Sequence, residues 1–282
     1  CEPGGDPASP LANGGAFGGK VDSIALVAAR RLADLHGRPV RVILSREDVV
    51  RLGPKRAPIG AGVRADGTGV LRLAGTRTAS LNAILAAFAP GLDVQHVEVG
   101  GPPVSPRIRA AGWAEAAVLL AGAEAILQGR VPKAESPPLR PAAGVAQVES
   151  PAGARARAEV CVDAGGWPLA VEVTISCGPA LDPVTLRSYA TGAAHMALGW
   201  VCSEGIAVGD DGVPTDLTIR SFGILRAKDT PPITVRIDTP KGAGERPTNA
   251  SDAVFAAVAA ATWIAQGLPS RWPTRRGRNP SA

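Results

Sequence analysis

The sequence predicts an α+β fold in two lobes, on three observations. Apolar residues recur at helical spacing in long segments, as in Val21, Ile24, Ala25, Ala28, Leu32 and Leu35. Turn pairs such as Asp66-Gly67 and the run Asp163-Ala164-Gly165-Gly166 sit between β-prone stretches in each half and mark hairpins. A stretch rich in proline and small residues, GRVPKAESPPLRPAAGVAQVESPA at 129–152, interrupts the pattern midway and reads as a linker. On this division, residues 1–130 form a first lobe of glycine loop, helix and strands. Residues 131–152 are the linker, 153–268 the second lobe and 269–282 a basic tail.

Residues 1–12 (CEPGGDPASPLA) are a loose lead. A helix follows from about Val21 to His36, stopped by Gly37 and Pro39. Val40–Leu44 reads as a short strand, and Ser45-Arg46-Glu47-Asp48 as a capped entry to a further short helix. Ile59–Thr78 is a hairpin around Asp66-Gly67. Residues 81–100 are ambiguous, with a helix and then a strand at Val94–Val99 as the reading, broken by Pro102-Pro103. Ala111–Leu127 is a strongly apolar helix. In the second half, strands at Arg155–Val162 and Leu169–Ser176 precede a helix over Pro183–Trp200. A turn at Asp210-Asp211-Gly212, a strand at Thr234–Ile237, a glycine-rich loop at 241–245 and an alanine-rich helix at Ser251–Gln266 complete the chain. No sequence repeat links the halves.

Composition narrows the function. Aromatic residues make up 4% of the 282 residues, so the core is expected to be built from Ala, Val, Leu and Ile and to be modestly stable or completed by a partner chain. The net charge of +5 is mild and lacks interleaved stacking aromatics, which argues against a nucleic-acid partner. The local excess at Arg271, Arg275, Arg276 and Arg278 reads as a solvated, frayed terminus. Cys1, Cys161, Cys177 and Cys202 show no CxxC pair, and His36, His96 and His195 lie far apart, so no metal-ligand pattern is expected. Few cysteines for this length suggest reduced, mostly buried thiols in a cytoplasmic protein. No run of eighteen apolar residues is present, so no membrane span is expected.

Gly14-Gly15-Ala16-Phe17-Gly18-Gly19-Lys20 is a glycine-rich loop before a helix. Such a loop can hold an anion on free N–H groups and the helix dipole. It is not a phosphate-binding P-loop, because Val21 stands where Ser or Thr is required. On its own it reads first as a tight turn with Phe17 packed inward.

Taken in order, GGAFGGK, the helix after it, RPVRVILSRED at 38–48, Pro54-Lys55-Arg56, CGPALDP at 177–183, Gly192, Met196, Leu198 and Gly199, KGAGERP at 241–247 and the final alanine-rich helix form a consistent series. The series resembles the molybdopterin-binding (large) subunit of the xanthine dehydrogenase/aldehyde oxidase family in a strongly shortened form. The resemblance implies a fold related to that family's molybdopterin-binding domain. It implies a molybdenum–molybdopterin cofactor, here shared with a partner chain, and hydroxylation of an aldehyde or N-heterocycle with water-derived oxygen. Iron–sulfur and FAD centres are expected on other subunits of the hydroxylase complex. Residue by residue, Glu245 matches the family's proton-accepting carboxylate and Arg109, in SPRIRAAG, a substrate-facing arginine. Gly14, Gly15, Phe17, Gly18 and Gly244 match cofactor-approaching loops. The reading requires Gly15, Arg109 and Glu245 to face one cavity. Tyr189 stands where members often carry Gln, Arg246 stands beside Glu245, and a short stretch replaces a large cofactor domain. These departures carry the alternative that the chain is a non-catalytic remnant or scaffold subunit.

Overall fold

A computed structural model describes residues 1–8, 23–75, 78–132, 141–238 and 246–275. In the first half, helix α1 (Ile24–His36) starts at Ser23, whose hydroxyl accepts from the Ala25 N–H, and ends on Gly37 in the left-handed conformation (φ +59°). The stretch after it does not become a strand. Val40 exchanges two backbone hydrogen bonds with Cys1, each 2.9 Å, and its neighbours make no ladder. Helix α2 (Arg46–Leu52) is capped by the Ser45 hydroxyl on the Asp48 N–H, as its sequence predicts. Strands β1 (Ile59–Val63) and β2 (Gly69–Ala74) form the expected hairpin. At its turn the Asp66 carboxylate accepts from the Thr68 N–H and hydroxyl. Helix α3 (Ala79–Phe88) crosses over to β3 (Leu92–Val97), which pairs parallel with β2. Helix α4 (Trp113–Leu127) closes this half.

The second half is a four-stranded sheet in the order β4-β5-β6-β7. Strand β4 (Ala142–Glu149) lies inside the stretch read as linker. Its inward residues, Gly144, Ala146 and Val148, are small because a helix lies directly on them, and small residues beside prolines look like a linker in sequence. Strands β5 (Arg155–Val162) and β6 (Pro168–Ser176) form the predicted hairpin. Helix α5 (Pro183–Cys202), capped by Asp182, crosses over to β7 (Ile233–Ile237), parallel to β6. Between α5 and β7 the turn at 210–212 closes one isolated bridge, Val208 to Pro214, rather than a two-stranded hairpin. Helix α6 (Ser251–Ala265) is last. Both halves therefore run hairpin, crossover helix, parallel strand, helix. The chain has an architectural repeat with no counterpart in its sequence.

Helix α6 is buried all round. It lies on β4 and β5 and packs against α4 and α5, and its alanines at 253, 256, 257, 259, 260, 261 and 265 let these neighbours approach closely. Gly122 on α4 makes room for the Trp263 indole, since a Cβ there would come within 2.6 Å of it. The expectation of an aliphatic core is met, because alanine and valine dominate it. The same core contains both Trp113 of α4 and the strands of the second sheet. The tail is not frayed through residue 275. Trp272 packs edge-on to Trp200 and Trp263, and the Thr274 and Arg275 N–H groups donate to the carbonyls of Val201 and Cys202. Burial holds it because Trp272 has more apolar surface to hide than the flanking arginines have charge to solvate. All four cysteines are free, with Cys177 and Cys202 buried. Burial pushes the Cys202 thiol up to about 11.

Just past α5, Glu204 folds back on the helix. A Cβ at Gly199 would meet its Cδ at 2.7 Å. Burial pushes this carboxyl up to about 7 from an ordinary 4.5. Between those values the folded chain keeps a proton that the unfolded chain has released, so stability falls as pH rises through that window. We predict a loss of about 3 kcal/mol from pH 4.5 to pH 8 on the scale of 1.4 kcal/mol per unit. Glu204→Gln removes this component of the pH dependence, which urea midpoints at several pH values will read. Identical pH profiles for the two proteins would refute it.

Candidate functional site

The site is built where the two halves meet. The chain between β3 and α4 makes a tight turn in which Arg109 (φ +49°) and Ala110 (φ +50°) both take the left-handed conformation, followed by Gly112 at φ +92°. Two consecutive L-residues there cost on the order of 1–2 kcal/mol each, so surrounding contacts must hold them. Arg56, in the segment before β1, supplies those contacts. Its Nη1 donates to the carbonyl of Ile108 at 3.0 Å and of Arg109 at 2.6 Å. Its Nε and Nη2 lie 2.9 and 2.7 Å from Glu115 Oε1. Glu115, in the first turn of α4, accepts the Gly112 N–H on its other oxygen at 2.7 Å, which caps the helix. The Arg56 guanidinium also lies over the Trp200 ring of α5 at 4.4 Å and near Phe255 of α6 at 5.1 Å.

This frame presents Arg109. Its guanidinium sits 5.8 Å over the same Phe255 ring and places Nη2 3.1 Å from the Met196 sulfur. No carboxylate stands within salt-bridge distance of it among the described residues. Partial burial lowers its pKa, Asp252 in the first turn of α6 opposes that, and the Arg56 charge adds to it. Beside the turn runs a crevice of about 300 Å³ between α3, the segment at 106–113, the β4–β5 turn and the start of α6. Ser80, Arg107, Ser150, Asn249 and Asp252 give it polar edges, while Leu81, Ile84, Ala110, Ala111 and Trp113 give it an apolar floor. Arg109 is not among the lining residues; the cation that faces the crevice is Arg107, which can meet an anionic or carbonyl oxygen of a small ligand.

Of the residues singled out from sequence, Arg109 is described and lies at this junction. Gly14, Gly15, Phe17, Gly18, Gly244 and Glu245 lie outside the described residues, as does the Lys241–Glu245 loop. Sequence reading passed over Arg56 as part of a basic turn and missed Glu115, Asp252 and Phe255. An acidic residue in the first turn of a mostly apolar helix is the available signal for Glu115. Among the described residues no group of three His, Cys, Asp or Glu side chains could hold a metal ion. The described residues also do not make a pterin cradle. The crevice is at the small end for a ligand pocket, and its cation, Arg107, is matched by Asp252. Among the described residues no helix is long and apolar enough to cross a membrane.

No family model and no curated protein matches the chain. Solved structures do. The chain is similar to the aldehyde oxidoreductase of Desulfovibrio gigas with a TM-score of 0.64 and 11% identity, over 90% of this chain and 51% of that one. It also matches quinoline 2-oxidoreductase from Pseudomonas putida 86 with a TM-score of 0.35, 16% identity, and 84% and 36% coverage. A third match is CO dehydrogenase from Oligotropha carboxidovorans, with a TM-score of 0.36, 12% identity, and 73% and 33% coverage. The chain thus spans between a third and a half of the length of these proteins. The aldehyde oxidoreductase alignment establishes that the α/β fold is shared.

Proposed function

We propose that the chain is one subunit of a molybdenum-dependent hydroxylase of the xanthine dehydrogenase/aldehyde oxidase type, acting on a small aldehyde or N-heterocycle. In this reading Arg109 orients a carbonyl or developing oxyanion of the substrate. Glu245, a few residues before α6, accepts a proton, and the loops at Gly14, Gly15, Phe17, Gly18 and Gly244 approach the cofactor. A partner chain completes the molybdopterin cradle, which the described residues do not form alone, and iron–sulfur and FAD centres belong to further subunits. When bound, the cofactor supplies the two-electron oxidation.

The observation that carries the reading is Arg109 itself. A half-buried guanidinium held on a left-handed turn, with no ion-pair partner among the described residues, is costly to keep in a purely structural element. The outer face of α5 supports the partner. Leu181 (90% exposed) just before the helix, and Val184 (78%), Tyr189 (66%) and Met196 on it, are large side chains left in solvent, and the Met196 sulfur meets Arg109.

The test is molybdenum and pterin analysis of the protein purified with and without its neighbouring subunits. A complex with stoichiometric molybdenum is expected. Glu245→Gln is expected to retain the metal and lose turnover by about 100-fold or more, the range of general-base contributions. Absence of molybdenum from every complex would overturn the proposal in favour of a scaffold subunit.

A further inference from the structure

We infer that Arg56 is a positioning residue that aims Arg109 by locking the turn at 108–112. Its importance for catalysis rests on the role proposed above for Arg109; the lock itself does not. Arg56 comes from the segment before β1, far from the turn in sequence, yet four of its contacts converge there. One nitrogen bonds the peptide carbonyls on either side of the Arg109 Cα, those of Ile108 and Arg109, and two lie against Glu115 Oε1. Glu115 in turn takes the Gly112 N–H. A planar guanidinium reaches these acceptors from two fixed nitrogens, Nη1 to the carbonyls and Nε to Glu115, which an ammonium group with its single nitrogen does not offer. The unfavourable φ values fall on Arg109 and Ala110, the two residues inside this bracket. Arg56 and Arg109 also share one Phe255 ring, so the locked turn places two cations on one aromatic surface against their mutual repulsion. Freed from the bracket, the turn relaxes and the Arg109 side chain moves away.

The experiment needs neither cofactor nor turnover, so its failure and the failure of the hydroxylase reading are separate results. Arg56→Lys keeps the charge and loses the fork. Residue-resolved hydrogen exchange is expected to show the Ala111 and Gly112 amides exchanging about tenfold or more faster, the cost of losing hydrogen bonds to a charged group, while β5 and β6 amides are unchanged. The side-chain Nε–H signal of Arg109, assigned with Arg109→Lys, is expected to shift. Adding Ala110→Gly, which removes the penalty at a positive-φ position, is expected to restore part of the protection and return the Arg109 signal toward wild type. Equal loss of protection in the turn and in the sheet, an unmoved Arg109 signal, or no recovery with Ala110→Gly would each overturn the inference. So would failure of both variants to fold, which would assign Arg56 to global stability alone.

Discussion

Gly144→Val is expected to leave little or no folded protein. Gly144 lies on β4 where α6 crosses the sheet, and a Cβ there would fall inside the contact radius of the Ala261 carbonyl oxygen and 2.6 Å from the Ala265 nitrogen. Both are helix backbone, so no rotamer change relieves the clash. The helix itself would have to lift. Helix α6 is the common neighbour of β4, β5, α4 and α5, and lifting it opens the alanine and valine core on every side. Close-packed interiors do not absorb such a shift, and costs above about 4–5 kcal/mol mark this kind of site. Gly144→Ala already introduces the offending atom and is expected to lower the urea midpoint sharply. Gly60→Ala in β1, where nothing lies within 4 Å of an added Cβ, serves as the control and is expected to be neutral or slightly stabilising. Circular dichroism and soluble yield of the three variants give the comparison. A folded Gly144→Val with a wild-type midpoint would mean that α6 does not rest on β4.

The same glycine explains where sequence reading stopped. The β5–β6 hairpin, α1 and α6 are legible because their signals are local: alternation bounded by Asp163 and Gly166, helical apolar spacing stopped by Gly37 in one helix, and an alanine-rich run in another. Strand β4 was not, because what makes it a strand is α6, more than a hundred residues later, and the small side chains that contact demands are the ones a linker also uses. Val40–Leu44 failed in the opposite way. Its pattern suits a strand, but Ile43 is exposed and, among the described residues, only Cys1 bonds the backbone of Val40. The tail was misjudged on its arginines when Trp272 decided the outcome. At the site, Arg109 could be named from a short motif. The residues that hold it could not. Arg56 and Glu115 are 59 positions apart, and nothing in either neighbourhood announces the other.

Glu115→Ala is expected to destabilise the protein by about 3–5 kcal/mol, the range for removing one partner of a buried ion pair. Both side chains are well buried, with Arg56 16% and Glu115 9% exposed, so solvent would not take over the lost contact. Two losses combine. Arg56 keeps a buried charge with no counter-charge, and Gly112 loses the acceptor for its N–H, which is the cap of α4. Because α4 belongs to the cores of both halves, the loss is expected to lower one cooperative transition and not to split it in two. A double-mutant cycle whose single variants are Arg56→Met and Glu115→Leu separates the components. Arg56→Met alone should cost a similar amount, since it orphans the Glu115 carboxylate and frees the Ile108 and Arg109 carbonyls. Arg56→Met combined with Glu115→Leu removes both charges and leaves apolar groups against Trp200 and Phe255, where burial is favourable. The double variant is therefore expected to be more stable than either single variant, with a coupling energy of about 2 kcal/mol or more from urea unfolding. What it cannot recover is the bracket on the two carbonyls, so its residual deficit measures how much of the work of Arg56 goes into the turn beneath Arg109. Additive single-variant costs would show that the pair is not coupled, and a double variant with no residual deficit would show that the turn is held by something other than this guanidinium.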